Sequence, residues 1–391
     1  MIIVVADDLT GAAEMAGIAW RRGCQVGFVV DDDQHDETTE KQMKDARSRG
    51  IDVMVVATDA RSQSSIEAEK TMQRVLIGFE ASDDRLFKKT DSALRGHIVA
   101  EIKAMMKILG IRQTLLLPQN PSKKRTIQEG IYRIDGTDLH DTAFCYDPEY
   151  PTSTSLVEQV LGGGRSMTTE STLDDGINIA DATNEREIWL QLKKATPITL
   201  VAGAADLFEV FLSQCSVCHS EDLSPKKHDE QLLTEDGKEP TVHLCPPCII
   251  VCGSTQSHPL PDGIPCFLMP DNIYHGGQVD DWAKMLRGEY IERKALAIGI
   301  GKHKEMKAQY ANRLKETLSF VVSELMKEHW PRQLIIEGGA TAYAVIRRMG
   351  MKQVEVKEEI ASGVVRLRGM INSKNTEVIV KPGSYLWNIQ P

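Results

Sequence analysis

Two adjacent aspartates, Asp7 and Asp8, end an apolar run at Ile2 to Ala6 and are followed by Thr10 and Gly11 in what reads as a helix start. Another apolar run passes into Thr58 to Arg61, and a further one into "KKTDSALRG", Lys88 to Gly96. In open α/β sheets ligands bind beyond the carboxyl ends of the strands, so residues just after each strand face the ligand. Here those positions hold Asp7, Asp8, Thr10, Gly11, Arg61, Lys89, Asp91, Ser92, Arg95 and Gly96. That mixture suits a polyhydroxylated acid: a guanidinium grips a carboxylate with two parallel hydrogen bonds, and aspartates accept from hydroxyls. Each residue also has a structural reading. Asp8 or Thr10 can cap the following helix, Asp91 and Ser92 can cap one starting near His97, and Lys88 to Arg95 can form a solvated face. One cap explains one loop, and the coincidence of three loops favours a site.

The second half offers glycines. Gly253 and Ser254 follow one strand-like run, Gly338 and Gly339 follow another and precede a helix with Thr341 in its first turn, and Gly383 follows Lys381 near the C-terminus. Backbone amides at strand-to-helix turns can hold phosphates, although a turn alone also explains a glycine. No Walker A loop is present, because Gly301 and Lys302 are followed by His303. A phosphatase of the haloacid-dehalogenase type needs a second carboxylate two positions after its nucleophile, where this chain has Leu9 or Thr10.

The cysteines form two close pairs, "CSVC" with Cys215 and Cys218 and "CPPC" with Cys245 and Cys248. Four such ligands fit a structural zinc site, whereas free thiols in a mobile insert are the competing reading. Four cysteines would leave no open position for a catalytic zinc.

The elements that position these residues follow from pattern. At 391 residues the chain exceeds the size of a single core, so two domains are expected. Strands are predicted at Ile2 to Ala6, Gln25 to Val30, Asp52 to Ala57, Arg85 to Lys88 and Gln113 to Leu117, separated by helical stretches, which implies βαβ units and a mostly parallel, Rossmann-like sheet with flanking helices. Ile98, Ile102, Met105, Met106 and Leu109 recur at helical spacing and should pack on that sheet. Asn120 to Tyr150 reads as long loops with a hairpin, a length that often marks a functional edge. Strands near Ile177 to Ala180 and Ile198 to Ala202 extend the first sheet. The domain reading is 1–210, a linker or cysteine-containing insert at 211–247, and a second α/β domain at 248–391. That domain has strands "IIVCGS", "ALAIGI", "QLIIEGG" and "TEVIVKPGS" and a long helix from Lys304 to Glu328. A balance of 46 basic against 56 acidic residues gives a net charge of −10, which disfavours nucleic acid or an anionic membrane as partner. No apolar run approaches the roughly 20 residues of a membrane helix, so a soluble, cytoplasmic protein is expected.

Taken together, "ADDLTGAAEMAG", "FKKTDSALRGHIVAEI", "CGSTQSH", "EGGATA" and "VKPGSY" resemble the four-carbon acid sugar kinases, from residue 1 to about 205 and again from about 249 to the end. The resemblance implies an N-terminal sugar-acid-binding domain, a C-terminal nucleotide-binding domain, and ATP-dependent phosphorylation of the terminal hydroxyl of threonate, erythronate or a 3-keto-tetronate. It places Asp7, Asp8, Thr10, Gly11, Arg61, Lys89, Asp91, Ser92, Arg95 and Gly96 against the acid, and Gly253, Ser254, Gly338, Gly339, Thr341, Lys381 and Gly383 against ATP. It implies Mg²⁺ as metal, with one of Asp7 and Asp8 as general base, here taken as Asp8, and with Arg61 and Arg95 holding the substrate carboxylate. Two departures stand out: Cys252 occupies the first position of the family's SGS, and the last loop reads KPGSY where many members carry a second glycine. The alternative function is a non-catalytic sugar-acid sensor, and homo-oligomerisation is left open. An aldolase or dehydrogenase lacks support, since no GxGxxG follows a strand.

Overall fold

The computed structural model describes residues 1–31, 39–80, 84–147, 149–215, 241–253, 263–301, 310–327, 329–351, 353–371, 374–383 and 389–390. The chain divides into two compact units, Met1–Ser220 and Glu221–Pro391.

The first unit runs β1 (Ile2–Ala6), α1 (Leu9–Arg21), β2 (Val26–Val30), α2 (Thr39–Ser48), β3 (Val53–Ala57), α3 (Ser65–Val75), β4 (Arg85–Lys89), α4 (Ile98–Leu109) and β5 (Gln113–Leu117). It continues with β6 (Arg125–Gln128), β7 (Ile131–Ile134), β8 (Thr137–Asp138), α5 (Val157–Leu161), β9 (Arg165–Met167), β10 (Gly176–Ala180), α6 (Glu185–Leu192), β11 (Thr199–Gly203) and α7 (Ala205–Gln214). Its strands lie in the order β2-β3-β1-β4-β11-β5-β10-β9, all parallel. The uninterrupted β-branched and apolar runs of β1 and β3 are buried at every position, as strands covered by helices on both faces must be.

From β1 the chain winds out through α1 to β2, returns to β3 beside β1, then crosses to β4 on the other flank of β1. The winding direction therefore changes at β1, and the loops after β3, β1 and β4 open side by side at a topological switch point. The predicted strand boundaries agree with those observed to within a residue; Gln25, expected inside β2, instead donates its amide to the Asp52 carboxylate at 2.8 Å. The predicted hairpin in 120–150 is a three-stranded antiparallel sheet, β6-β7-β8. Its two turns, Glu129-Gly130 and Asp135-Gly136, hold both residues at positive φ, the geometry that matches the right-handed twist of the strands.

The second unit contains β12 (Val242–His243), β13 (Cys248–Cys252), β14 (Cys266–Leu268), α8 (Asp271–Tyr274), α9 (Asp280–Arg293), β15 (Ala295–Gly299), α10 (Ala311–Met326), β16 (Gln333–Glu337), α11 (Gly339–Arg348), β17 (Gln353–Ala361), β18 (Val364–Ile371), β19 (Lys374–Lys381) and β20 (Ile389–Gln390). Strands β14-β15-β13-β16-β19 are parallel neighbours, and β18 and β17 continue from β19 as an antiparallel meander. Strands β17 and β18, which carry charged side chains at Glu355, Lys357, Glu358, Arg366 and Arg368, were not anticipated. Of the long helix expected from Lys304 to Glu328, the described part is α10, and 302–309 and 328 lie outside the described residues. Among the described residues no helix is long and apolar enough to cross a membrane.

Close approach of backbones fixes one glycine in the first sheet. A Cβ at Gly203 would lie 2.2 Å from the Leu117 carbonyl oxygen and 2.7 Å from the Leu207 side chain. Gly203→Ala is expected to lower unfolding stability by about 1–3 kcal/mol, as overpacking does. A urea midpoint equal to the wild type would show that β11 can shift away from β5 at no cost.

Candidate active site

Helix α1 begins directly after β1, and its four leading amides need partners. Asp8 supplies one. Its Oδ1 accepts from the Gly11 amide at 2.8 Å, and its Oδ2 accepts from the Thr10 hydroxyl. A Cβ at Gly11 would come within 2.7 Å of Asp8 Oδ1, so this position admits only glycine without a shift. Asp7 plays a different part. Its Oδ2 accepts from Arg61 Nε at 2.7 Å, whereas its Oδ1 is buried with no hydrogen-bond partner among the described residues.

Arg61, from the loop after β3, is the centre of the cluster. Besides Asp7, its Nη2 lies 3.2 Å from Asp8 Oδ1 and 3.4 Å from Asp91 Oδ1. Its backbone is held as well, with its amide donating to the Asp7 carbonyl at 3.2 Å and its carbonyl accepting from the Tyr150 hydroxyl. Asp91, from the loop after β4, accepts from Arg95 Nε at 2.9 Å and Nη2 at 3.0 Å, and from the amides of Ala93 and Arg95. Arg95 Nη1 is also 3.6 Å from Asp147. That loop turns through positive φ at Leu94 and Gly96, and a Cβ on Gly96 would lie 3.3 Å from Arg61 Cγ and 3.5 Å from Asp7 Oδ2.

The electrostatics follow from burial opposed by charge. Burial raises the pKa of Asp7, but the Arg61 guanidinium and the Lys88 ammonium outweigh it and hold the carboxyl below its ordinary value. Burial acts likewise on Asp91, and Arg95 and Arg61 hold it well below the usual carboxylate range. Arg61 is raised in turn, the three aspartates overcoming its own desolvation. Beneath the cluster Lys88 forms a fully buried ion pair with Glu101 at 2.6 Å.

Several participants were not foreseen. Glu14, on α1 one turn beyond Thr10, lies 2.7 Å from Lys123 Nζ and 3.7 Å from Lys89 Nζ. Lys89 also donates to the Thr90 carbonyl at 2.8 Å. Ser92 Oγ accepts from Arg125, and the Ser92 carbonyl accepts from the Tyr132 hydroxyl. The available signal was the basic run Lys123-Lys124-Arg125 in an unusually long connection, and the spacing of Glu14 four positions after Thr10 on the helix. The structure joins Asp7, Asp8, Arg61, Asp91 and Arg95 in one ion-pair cluster, with Thr10, Gly11, Lys89, Ser92 and Gly96 on the same strand ends and loops. Arg61 and Arg95 are engaged there by the protein's own carboxylates, and the two Asp8 oxygens by the helix cap, Thr10 and Arg61.

In the second unit β15, β13, β16 and β19 end together. The Gly253 amide donates to the Glu337 carbonyl at 3.1 Å, and the Gly338 amide to the Lys381 carbonyl at 2.9 Å. A Cβ on Gly253 would fall 2.0 Å from Thr341 Oγ1, so the chain passes α11 only as glycine. Gly338, at φ 97°, is the N-cap of α11 and, as a glycine, supplies no capping side chain, a helix start of the kind that suits an anion. Lys381 Nζ lies 3.7 Å from Glu337, and burial lowers its pKa despite the opposing pull of Glu337 and Cys252. Gly339 opens α11, and Gly383 lies in the turn after β19. Ser254 lies outside the described residues.

The expected zinc site finds no support. Cys218 lies outside the described residues, and among those described no group of three or more His, Cys, Asp or Glu is placed to hold a metal. Burial pushes the Cys215 thiol up against the pull of Arg85, and pushes Cys248 up to about 11, with Cys245 adding to the rise; both favour the neutral thiol over the ligating thiolate.

Comparison with known proteins finds a family match within each unit. Residues 2–201 match the family described as a sugar-binding N-terminal domain, and residues 288–385 match a nucleotide-binding C-terminal domain. The D-threonate kinase of Salmonella typhimurium is 27% identical over 230 residues, an alignment covering 53% of this chain and 52% of that enzyme. The chain thus spans about half the length of that relative. The D-erythronate kinase of Heliobacterium modesticaldum is 26% identical over 162 residues, 41% of this chain and 35% of that enzyme. The 3-oxo-tetronate kinase of Pectobacterium atrosepticum is 20% identical over 407 aligned residues, covering 93% of this chain and 92% of that enzyme. Crystal structures of a Salmonella typhimurium protein (TM-score 0.69, 18% identity, 99% of this chain and 97% of that one) and a Haemophilus influenzae protein (TM-score 0.60, 15% identity, 99% and 97%) share the fold.

The paired Glu14 gives the cluster a pH signature. Burial would raise its carboxyl, but Lys123 and Lys89 bring it from the ordinary 4.5 down to about 2. Because the folded value is depressed, the unfolded chain takes up the proton first, and the contribution present above the unfolded pKa is lost as the pH falls through the folded one. At about 1.4 kcal/mol per unit this amounts to roughly 3 kcal/mol. Urea unfolding from about pH 5 to about pH 3 should show a steeper fall in stability for the wild type than for Glu14→Gln. Parallel curves would show that Glu14 is not held as a carboxylate.

Proposed function

We propose, because the chain belongs to the four-carbon acid sugar kinase family, that it transfers the γ-phosphoryl group of ATP to the terminal hydroxyl of a four-carbon sugar acid of the threonate, erythronate or 3-keto-tetronate type. On this reading residues 1–210 bind the acid and 248–391 bind the nucleotide. The observation that carries it is Asp7 Oδ1, a buried carboxylate oxygen without a partner among the described residues, set at the switch point of a parallel sheet among loops rich in hydrogen-bonding groups. A hydroxyl donor of the substrate satisfies that oxygen.

Phosphoryl transfer passes through a loose transition state, so positioning dominates and the attacking hydroxyl gives up its proton late. A carboxylate of depressed pKa is adequate for that step: Asp7 orients the hydroxyl by accepting its hydrogen bond and takes its proton as the new P–O bond forms and the bond to ADP breaks. Asp8, committed to capping α1 and to Arg61, positions Asp7 instead of reacting. The uncapped start of α11 and the glycines at 253, 338, 339 and 383 suit the phosphates of ATP. Mg²⁺, when bound with ATP, would neutralise charge on the transferring group.

An ATP-consumption assay with Mg²⁺ against a panel of four-carbon sugar acids and their 3-keto forms tests the reading directly. Turnover on one of them is expected. Silence across the panel from folded protein, with no Mg²⁺-dependent ATP binding, would instead leave a sugar-acid sensor. Within an active protein, Asp7→Asn is expected to lower kcat at least about a hundredfold. Asp8→Asn, which preserves the helix cap, should lose much less. Equal losses would return the proton-accepting role to Asp8.

A further inference from the structure

We propose that Arg125 grips the substrate carboxylate and is the residue by which the site distinguishes an acid from a neutral polyol, an inference that rests on the sugar-acid reading above. The first unit gathers several cations near its switch point, and nearly all are already answered by protein carboxylates. Arg61 holds Asp7, Asp8 and Asp91. Arg95 holds Asp91 through two parallel hydrogen bonds and approaches Asp147. Lys89 and Lys123 share Glu14, and Lys88 is paired with Glu101. A ligand carboxylate brought to Arg61 or Arg95 would meet those aspartates as well as the guanidinium, and like charges at such range repel.

Arg125 is different. It opens β6 in the connection that follows β5, and among the described residues its contacts are neutral: Nη1 donates to Ser92 Oγ, and the guanidinium lies 5.9 Å from the centre of the Phe144 ring. The same ring has the Arg95 guanidinium at 5.7 Å. A guanidinium carries five N–H donors in a fixed fork, and a single hydroxyl engages few of them. The ring and the hydroxyl orient a half-buried guanidinium without neutralising it, so its remaining donors are held ready for a planar anion.

Its location suits the task. Ser92 stands in the loop after β4, next to Asp91, so Arg125 borders the cluster that contains Asp7. Its charge is also felt at Glu14, whose carboxyl it helps to keep ionised. A four-carbon acid presents a carboxylate at one end and a hydroxyl at the other. Arg125 takes the first and Asp7 the second, with Arg61 and Arg95 keeping the loops between them in place.

The test compares a four-carbon sugar acid with the corresponding uncharged tetritol, using wild type, Arg125→Gln and Arg125→Lys, with thermal melting to confirm folding. For Arg125→Gln the KM for the acid should rise roughly a hundredfold, the loss of a charge-assisted bidentate pair, with kcat within a few-fold. The kcat/KM for the tetritol should stay unchanged, so that the preference for the acid collapses. Arg125→Lys should recover only part, because an ammonium lacks the fork. An unchanged KM for the acid, or equal losses on acid and tetritol, would overturn the proposal. Calorimetric titration of the same proteins with the acids, without ATP, separates the two readings. If the wild type turns over none of the acids the kinase reading fails, yet acid binding lost in Arg125→Gln would still support Arg125 as the carboxylate site. Equal acid affinity in both proteins, or none in the wild type, would overturn it.

Discussion

One guanidinium organises the first unit. Arg61 reaches three aspartates that come from the ends of two neighbouring strands, while its own backbone hangs from a third. Desolvating such a group is expensive, and buried ion pairs of this kind seldom add net stability. What the arrangement provides is geometry: the loops after β3, β1 and β4 cannot separate without leaving an uncompensated buried charge. Lys88 and Arg95 complete the compensation, the first acting on Asp7 and the second on Asp91.

That constraint decides which groups are left for a ligand. Asp8 is consumed by the helix cap and Arg61, and Arg61 and Arg95 are consumed by aspartates. Among the described residues unfilled capacity remains on Asp7 Oδ1, an acceptor, on the Thr90 hydroxyl, and on Arg125, a donor fork. An acceptor for a hydroxyl and a fork for a carboxylate are what a short hydroxy acid requires, which is why the proposed reading assigns those two groups to the ligand. The second unit repeats the principle with backbone instead of side chains. Its parallel strands end at glycines, and Gly253 is fixed by the approach of Thr341 within a distance no Cβ would tolerate. The start of α11 is left without a side-chain cap.

Much of this was legible in the chain. The unbroken apolar runs of β1 and β3 announced buried parallel strands, because a strand covered on both faces has no reason to alternate. The polar residues directly after β1, β3 and β4 announced which loops meet at the switch point, because side chains at strand ends leave the sheet together. The meander strands β17 and β18 were hidden by their many charged residues, some of which pair across the hairpin, as Arg366 does with Glu358.

The sequence by itself determined which residues stand at the switch point, since strand length, helix spacing and the order of βαβ units are local properties written in periodicity and capping. It could not determine what each charged residue faces. Asp7 and Asp8 are adjacent and identical in type, yet one caps a helix and the other presents an unpartnered oxygen, a difference set by the direction in which β1 passes into α1. Arg61, Arg95 and Arg125 are alike as residues. Arg95 pairs with Asp91 only four residues away, but the aspartates that face Arg61 and the serine and phenylalanine that face Arg125 are brought there by the tertiary structure alone, because those contacts depend on distances between segments that are remote in the chain.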